Sequence, residues 1–444
     1  MRHRTVVVGS SFAGLTAALE LKHHLGDSHD VVVVSKSEEF VFLPSLVWVP
    51  FGLRNRADLT FAVGPVLEKK GVLFRQGEVL SIDLDARCLH LRPIDTPPGW
   101  RPTDAPAAPS ARSTDTPPGW RPTDAPAAPS ARSIDEGGEV ALEYDTLVIA
   151  TGPALAYDEL PGLGPHRGFT TSIFTLDEAV AAQRTFARLL ENPGPVVIGA
   201  APGASHVSVA YEFLFNLVHQ LRRRHMEDKV PLTLLTPEPY VGHLGMGGLG
   251  RMAALLEDML SKAGVSLQTD AAITRIDAAK VRLDSGEALP FRMAMIVPAF
   301  RGVPPVRALT SIATPSGFVR VQPTYCTEAY PEVFACGAAV HLDPPDVTRV
   351  PLGVPRTGYL SEEMARVVAY NVAARIQGRR PVAMPPASID AKYVLDAGNE
   401  GLILSADHFL EPRDHAWVIP GPEAHWAKVA FERYFMATRR HGRV

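Results

Sequence analysis

Cysteine is scarce in this chain. Of 444 residues three are cysteine, Cys88, Cys326 and Cys336, and no two stand in a C-x-x-C spacing. That excludes a disulfide framework, a cysteine-type zinc site and a thioredoxin-like redox pair, and makes a reducing cytoplasm the simplest setting. Long apolar runs are missing too. The opening "MRHRTVVVGS" has basic residues, yet only three valines precede the glycine turn, so no secretory signal is expected, and no stretch has the length to span a bilayer. Charge of one sign is also lacking: Lys+Arg 44 against Asp+Glu 48 leaves a formal −4, which gives no footing for nucleic acid. Apolar residues are plentiful. At 46% hydrophobic and 21% charged the chain can bury a sizeable core, and its length suggests two or three domains.

Residues 4–9, "RTVVVG", form a β-branched run. "SSFAGLTAALELKHHLG" follows with Leu15, Ala18, Leu19 and Leu21 at helical spacing, and "DVVVVSKS" at 30–37 completes a βαβ unit. In "VVVGSSFAGLTAA", Gly9 permits the tight turn, Ser11 holds the second glycine position, and Gly14, beside Ala13, lets the helix lie on the strand. The helix N-terminus then points at a pyrophosphate. The acid that ends the second strand in such units is missing. Ser35 and Lys36 stand there, and Glu38 is the nearest acid, out of register.

Two further turns fit the same cofactor. "LVIATG" at 147–152 brings Ala150, Thr151 and Gly152 to the end of a returning strand. "EVFACGAA" at 332–339 keeps Gly337 but has Ala338 where an Asp is usual. The three turns in this order point to bound FAD. Between them, "DTPPGWRPTDAPAAPSARS" occurs at 95–113 and again at 115–133. Proline and alanine dominate it, so 94–134 reads as a disordered insertion without chemistry. Helices are expected over 174–191, 204–224, 249–264 and 357–378, and strands over 230–239, 294–300 and 332–340. The last sixty residues read as a tail with a basic amphipathic end.

The stretch "GPVVIGAAPGASHVSVAYEF" at 194–213 reads as a second strand–turn–helix, with His206 just inside the helix. Ala201 and Ala204 take the middle and last glycine positions, which argues against tight NAD(P) binding.

The order GxSxAG, ATG, "PGPVVIGAAPGAS…AYEF", "PEPYVGHLGMGG", "VPLGVPRTGY" and "HWAKVAFERYF" resembles the sulfide:quinone oxidoreductase family. That family is a branch of the pyridine nucleotide-disulfide oxidoreductase superfamily. The resemblance runs from residue 4 to about 438, apart from the repeat. It implies an α/β fold of two Rossmann-like dinucleotide-binding domains (the glutathione-reductase-like FAD/NAD(P) fold) with a C-terminal capping segment. The FAD domain would comprise 1–155 and 300–383, the second domain 156–299, and the cap, lining an acceptor pocket, 384–444. It further implies that the second turn delivers a side chain toward the flavin. Relatives carry cysteines there, at the position of His206, near Val394 and at Phe174, and a functional histidine at Glu178.

Imidazole forms neither disulfide nor persulfide, so the family's sulfur chemistry is not expected in its standard form. His206 is instead a candidate proton carrier near neutral pH. His243 in "YVGHLG" matches a family histidine, and Cys336 is the cysteine nearest the expected flavin. Arg356 in "VPRTGY" matches the family's cation beside the flavin, where it would stabilise the reduced anion, with Thr357 and Gly358 opening the next helix toward the same ring. FAD would be held noncovalently, and no metal is expected. The expected activity is FAD-dependent oxidoreduction of a small organic molecule, with a quinone or a specialised metabolite as candidates. Two alternatives stay open: sulfide oxidation through a non-standard cysteine or direct attack on the flavin, and a non-catalytic flavin-binding partner protein. A homodimer also stays open. Placement would be cytoplasmic, at most peripheral at the inner face of a membrane through the C-terminal basic segment.

Overall fold

The computed structural model describes residues 2–94 and 138–444. The tandem repeat, and the disorder expected of it, lie outside those residues.

The first sheet is built from β1 (Arg4–Val8), β2 (Asp30–Ser35), β3 (Leu73–Asp83), β4 (Cys88–Pro93), β5 (Val140–Glu143), β6 (Thr146–Ile149) and the strand Val333–Ala335. Its order is Val333–Ala335, β6, β1, β2, β3, β4, β5. The first five run parallel and the last two are added antiparallel. Val6, Val7, Val31, Val32, Val33 and Val34 are buried, as a parallel strand covered on both faces requires. From β1 the chain crosses to β2 on one side and β6 lies on the other. This opens a crevice at the carboxyl ends of the strands, the topological switch point. Helix α1 (Phe12–Leu25) fills one face of this sheet. Its Ala13, Gly14, Ala17 and Ala18 are small enough for a second helix to lie close against it.

The second sheet, β7 (Val196–Ala200), β8 (Leu232–Leu235), β9 (Ser266–Gln268) and β10 (Met293–Val297), has the parallel order β9, β8, β7, β10. Helices α2 (Leu176–Glu191), α3 (Ser208–Arg222) and α4 (Met252–Lys262) belong to this part. Helix α3 starts at Ser208 rather than 204, so His206 precedes the helix. The helix packed on α1 is α5 (Gly358–Ile376), which presents Ala365, Ala369 and Ala373.

The C-terminal segment is more than a tail. It forms an antiparallel sheet, β11 (Ala391–Asp396), β12 (Gly401–Ala406) and β13 (Ala416–Pro420), followed by α6 (Glu423–Arg440). The buried face of α6 carries Ala424, Lys428, Val429, Glu432, Phe435, Met436 and Arg439. Each of its three charges meets an opposite one. Lys428 Nζ lies 2.7 Å from Glu212 of α3, Glu432 lies 2.8 Å from Arg54, and Arg439 pairs with Glu362 of α5. Phe12, Phe40, Phe42 and Phe435 cluster where α6 crosses the start of α1.

Candidate functional site

Three residues, Gly9 to Ser11, separate β1 from α1. Gly9 sits at φ +111°, and a Cβ there would lie 2.2 Å from the carbonyl oxygen of Ala150. A Cβ on Gly14 would lie 2.0 Å from the Gly9 oxygen. Both positions therefore exclude any side chain. Among the described residues the first-turn N–H groups of α1 are unclaimed, since Ser11 makes no side-chain cap and no acid stands in that turn. Such a turn suits a pyrophosphate. Gly152, after Ala150 and Thr151, is at φ +67° with open space where a Cβ would be. Gly337 would place a Cβ 2.6 Å from that of Ala13, and Gly358 one 2.9 Å from the Phe12 ring. The starts of α1 and α5 are thereby drawn together, and Thr357 caps α5 by accepting from the Leu360 N–H at 3.1 Å.

At the end of β2, the Ser10 hydroxyl donates to Ser35 Oγ at 2.8 Å. Lys36 is exposed and ion-paired to Glu78 at 3.0 Å. A hydroxyl pair thus stands where an acid was sought.

The second turn is built differently. Seven residues, 201 to 207, separate β7 from α3. The Gly203 N–H donates to Pro351 O at 2.6 Å, and the Gly353 N–H donates to Ala204 O at 3.0 Å. A Cβ on Gly353 would meet Ser205 Oγ at 2.3 Å. The 351–353 segment therefore lies on the turn that a second pyrophosphate would need to approach.

His206 lies on this turn, partly exposed. Among the described residues no group hydrogen-bonds its ring nitrogens. Its ring neighbour is Tyr393 on β11, at 6.5 Å between centroids and 55°. The expected neighbour, Val394, instead pairs with Ile403 in the β11–β12 ladder. Burial, and then the charge of Lys428, lower the imidazole to about 4. His206 is therefore neutral at neutral pH, not poised there as the sequence suggested. Burial, and then the charge of Glu212, hold the Tyr393 phenol far above its usual range. Glu212 Oε1 accepts from Lys428 Nζ at 2.7 Å and from the Asp396 N–H at 2.9 Å. Burial raises its carboxyl above the usual range.

Phe174 packs edge-on to Phe300 at 5.6 Å. Phe300 follows Ala299, which bridges to Ala204 of the turn. Glu178 accepts from Ser172 at 2.8 Å and Tyr157 at 3.0 Å and closes a capping box with Thr175, so it anchors the start of α2.

The cysteines do not supply a thiolate here. Cys336 is 0% exposed, and burial pushes its thiol up to about 12, so it is a core residue rather than a nucleophile. Cys88 is buried and raised likewise. Cys326 lies within 3.3 Å of the Thr324 hydroxyl, away from His206 in the segment before Phe334.

His243 is also enclosed. Its Nδ1 accepts from the Gly245 N–H at 3.1 Å, which leaves Nε2 to donate to Asp346 at 3.0 Å. No contact joins it to His206 among the described residues. Arg356 Nη1 donates to the carbonyls of Ala338 at 3.0 Å and Val340 at 2.5 Å, and its guanidinium lies 3.7 Å from the Phe318 ring centre. Among the described residues it has no acidic partner and its Nε is unbonded, and desolvation lowers it to about 9.

Sequence reasoning missed Tyr393, Glu212, Lys428, Asp396 and Glu238. Asp396 accepts from Trp48 at 2.8 Å and Asn216 at 3.0 Å and contacts His425 Nδ1 at 2.7 Å. Glu238 accepts from Tyr211, Thr236 and the Leu244 N–H, which fixes the loop bearing His243. One signal was present: Lys428 falls one helical turn after Ala424, on the apolar stripe of α6.

Residues 3–357 match the family described as pyridine nucleotide-disulphide oxidoreductase. The chain belongs to that family. It is 30% identical over 450 residues to the sulfide-quinone reductase of Aquifex aeolicus, covering 100% of this chain and 93% of the relative. The X-ray structure of the Aquifex aeolicus sulfide:quinone oxidoreductase superposes with a TM-score of 0.85 at 29% identity, over 99% of this chain and 92% of that one. A type II NADH:quinone oxidoreductase of Mycobacterium tuberculosis is 26% identical over 87% of this chain and 75% of its own. The protein is thus an FAD-dependent oxidoreductase of the flavin-dependent quinone oxidoreductase group. Its cofactor is FAD, and the residues about Gly9, Ala150 and Gly358 fit that group.

Proposed function

We propose that this protein passes two electrons from a small organic donor to a quinone and does not oxidise sulfide by the thiol-dependent route. The observation that carries the reading is the pairing of His206 with Tyr393, with no ionisable thiol beside them. Bound FAD would supply the two-electron relay. The donor gives up two electrons and two protons, and the quinone takes up two of each. Arg356, a cation without a carboxylate partner among the described residues, would stabilise negative charge on the reduced cofactor.

Among the described residues no helix is long and apolar enough to cross a membrane. Trp417, Ile419, Trp426 and Tyr434 are exposed on β13 and α6, with Arg433 and Arg440 on the same helix. Aromatic tips with nearby cations suit shallow contact with a lipid surface, and we assign that contact to this face.

The test is anaerobic. Sulfide is added to the oxidised holoenzyme and the flavin absorbance is followed, with hydroquinones and other organic donors in parallel. Bleaching by an organic donor, reversed by added quinone, supports the proposal. Fast bleaching by sulfide alone overturns it.

A further inference from the structure

We infer that His206 and Tyr393 form the binding site for an uncharged aromatic substrate, with the imidazole hydrogen-bonding its hydroxyl or carbonyl and the Tyr393 ring as the wall it lies against. This rests on the organic-donor reading above and narrows it. Four ring side chains, His206, Tyr393, Phe174 and Phe300, are each only partly buried. The Ala204–Ala299 bridge ties the His206 turn to the strand end bearing Phe300, against which Phe174 packs. Four partly exposed rings in two neighbouring pairs give a surface for a flat apolar molecule.

The two residues have different parts. The ring nitrogens of His206 have no partner among the described residues, so their hydrogen-bonding capacity is left for a ligand. The Tyr393 hydroxyl is turned toward Ser208 and Glu212, both on α3, so the ring is the part of this side chain offered to a ligand.

The surroundings favour a neutral molecule. Lys428 is bound to Glu212 at 2.7 Å. The Asp396 carboxylate is taken by Trp48, Asn216 and His425. Lys392, next to Tyr393, lies over the Tyr359 ring at 5.1 Å and pairs with Asp390 at 3.3 Å. Lys428 and Lys392, the cations placed beside the pair among the described residues, are thus already engaged, and an anionic ligand would lose its hydration without gaining either as a free counter-charge.

The experiment is equilibrium binding to the oxidised holoenzyme at pH 7 by calorimetry, which needs no turnover. The probes are 4-methylphenol, neutral at that pH, and 4-methylbenzoate, an anion of similar shape. The phenol should bind about tenfold tighter than the benzoate. Tyr393→Phe, which keeps the wall, should leave the phenol affinity within about twofold, whereas Tyr393→Leu and His206→Leu should each weaken it about tenfold. Equal binding of the two probes, or unchanged affinity in His206→Leu, overturns the inference. If Tyr393→Leu does not fold, the probe comparison and His206→Leu still decide. Should the phenol bind as stated while no organic donor bleaches the flavin, the binding site stands and the donor reading falls.

Discussion

The two Rossmann turns of this chain start from the same plan and end differently. The first takes three residues from strand to helix, and its glycines are forced by backbone oxygens 2.0 to 2.2 Å from any Cβ. The second takes seven, has alanine where glycine would be needed, and is bonded at Gly203 and Ala204 by the chain's own 351–353 segment. Past Gly9, whose N–H donates to Val34 O, the first turn leaves the N–H groups that open α1 without a protein partner among the described residues. The second spends its Gly203 N–H on Pro351 O and presents a side chain, His206. Losing a phosphate cradle and gaining a side-chain site are thus one structural change, since the segment that covers the turn also holds His206 ahead of the helix.

The contrast can be broken at either end. The largest effect is expected at the first turn: Gly9→Ala forces a Cβ against Ala150 O at φ +111°, and flavin affinity should fall about 100-fold, read as the flavin-to-protein ratio after dialysis. Next is acid stability. His206 titrates near 4 folded and near 6.5 unfolded, so the unfolded state binds the extra proton between those values. Its contribution is complete above pH 6.5 and is lost as pH falls toward 4. The full shift, discounted for a ring that is partly exposed, is worth on the order of 2 kcal/mol. Denaturant unfolding of His206→Ala should show a flatter acid limb than the parent. On activity, His206→Ala should lower turnover with an organic donor about tenfold while flavin content is unchanged.

Smaller effects sharpen the same comparison. Gly203 has φ +78°, yet a Cβ there meets nothing nearer than Ala299 at 3.6 Å. Gly203→Ala should therefore cost only about 1 kcal/mol in unfolding free energy and leave flavin bound. Last comes an absence: NADH or NADPH added anaerobically should leave the flavin oxidised, where dithionite bleaches it. Bleaching by either nucleotide would erase the distinction between the turns.

The first turn was legible in the sequence because its rule is local. A β-branched run, a glycine with positive φ and a small-residue helix can all be read within ten residues. The second turn was legible only as a departure from that rule. The start of α3 at 208 depends on hydrogen bonds to Pro351 and Gly353, almost 150 residues on, which no local pattern carries. Tyr393 was missed for a different reason: a shift of one residue along a strand turns every side chain to the other face, so Val394 and Tyr393 exchange roles on a single-residue error. The strands β11–β13 are short and were read as tail. Cys336 looked reactive because it precedes Gly337 in the chain, but sequence proximity to a flavin turn says nothing about solvent, and the sulfur is sealed in the core.

The three charges on the inner face of α6 have a consequence of their own. Lys428, Glu432 and Arg439 find partners on α3, at Arg54 and on α5, parts of the chain separated by up to 308 residues between Arg54 and Glu362. A helix that slid by one turn, or docked against a misplaced second domain, would bury at least one of these charges alone, at a cost of several kcal/mol. Helix α6 thus works as a combination lock, closing only when three earlier pieces of the chain are all in register.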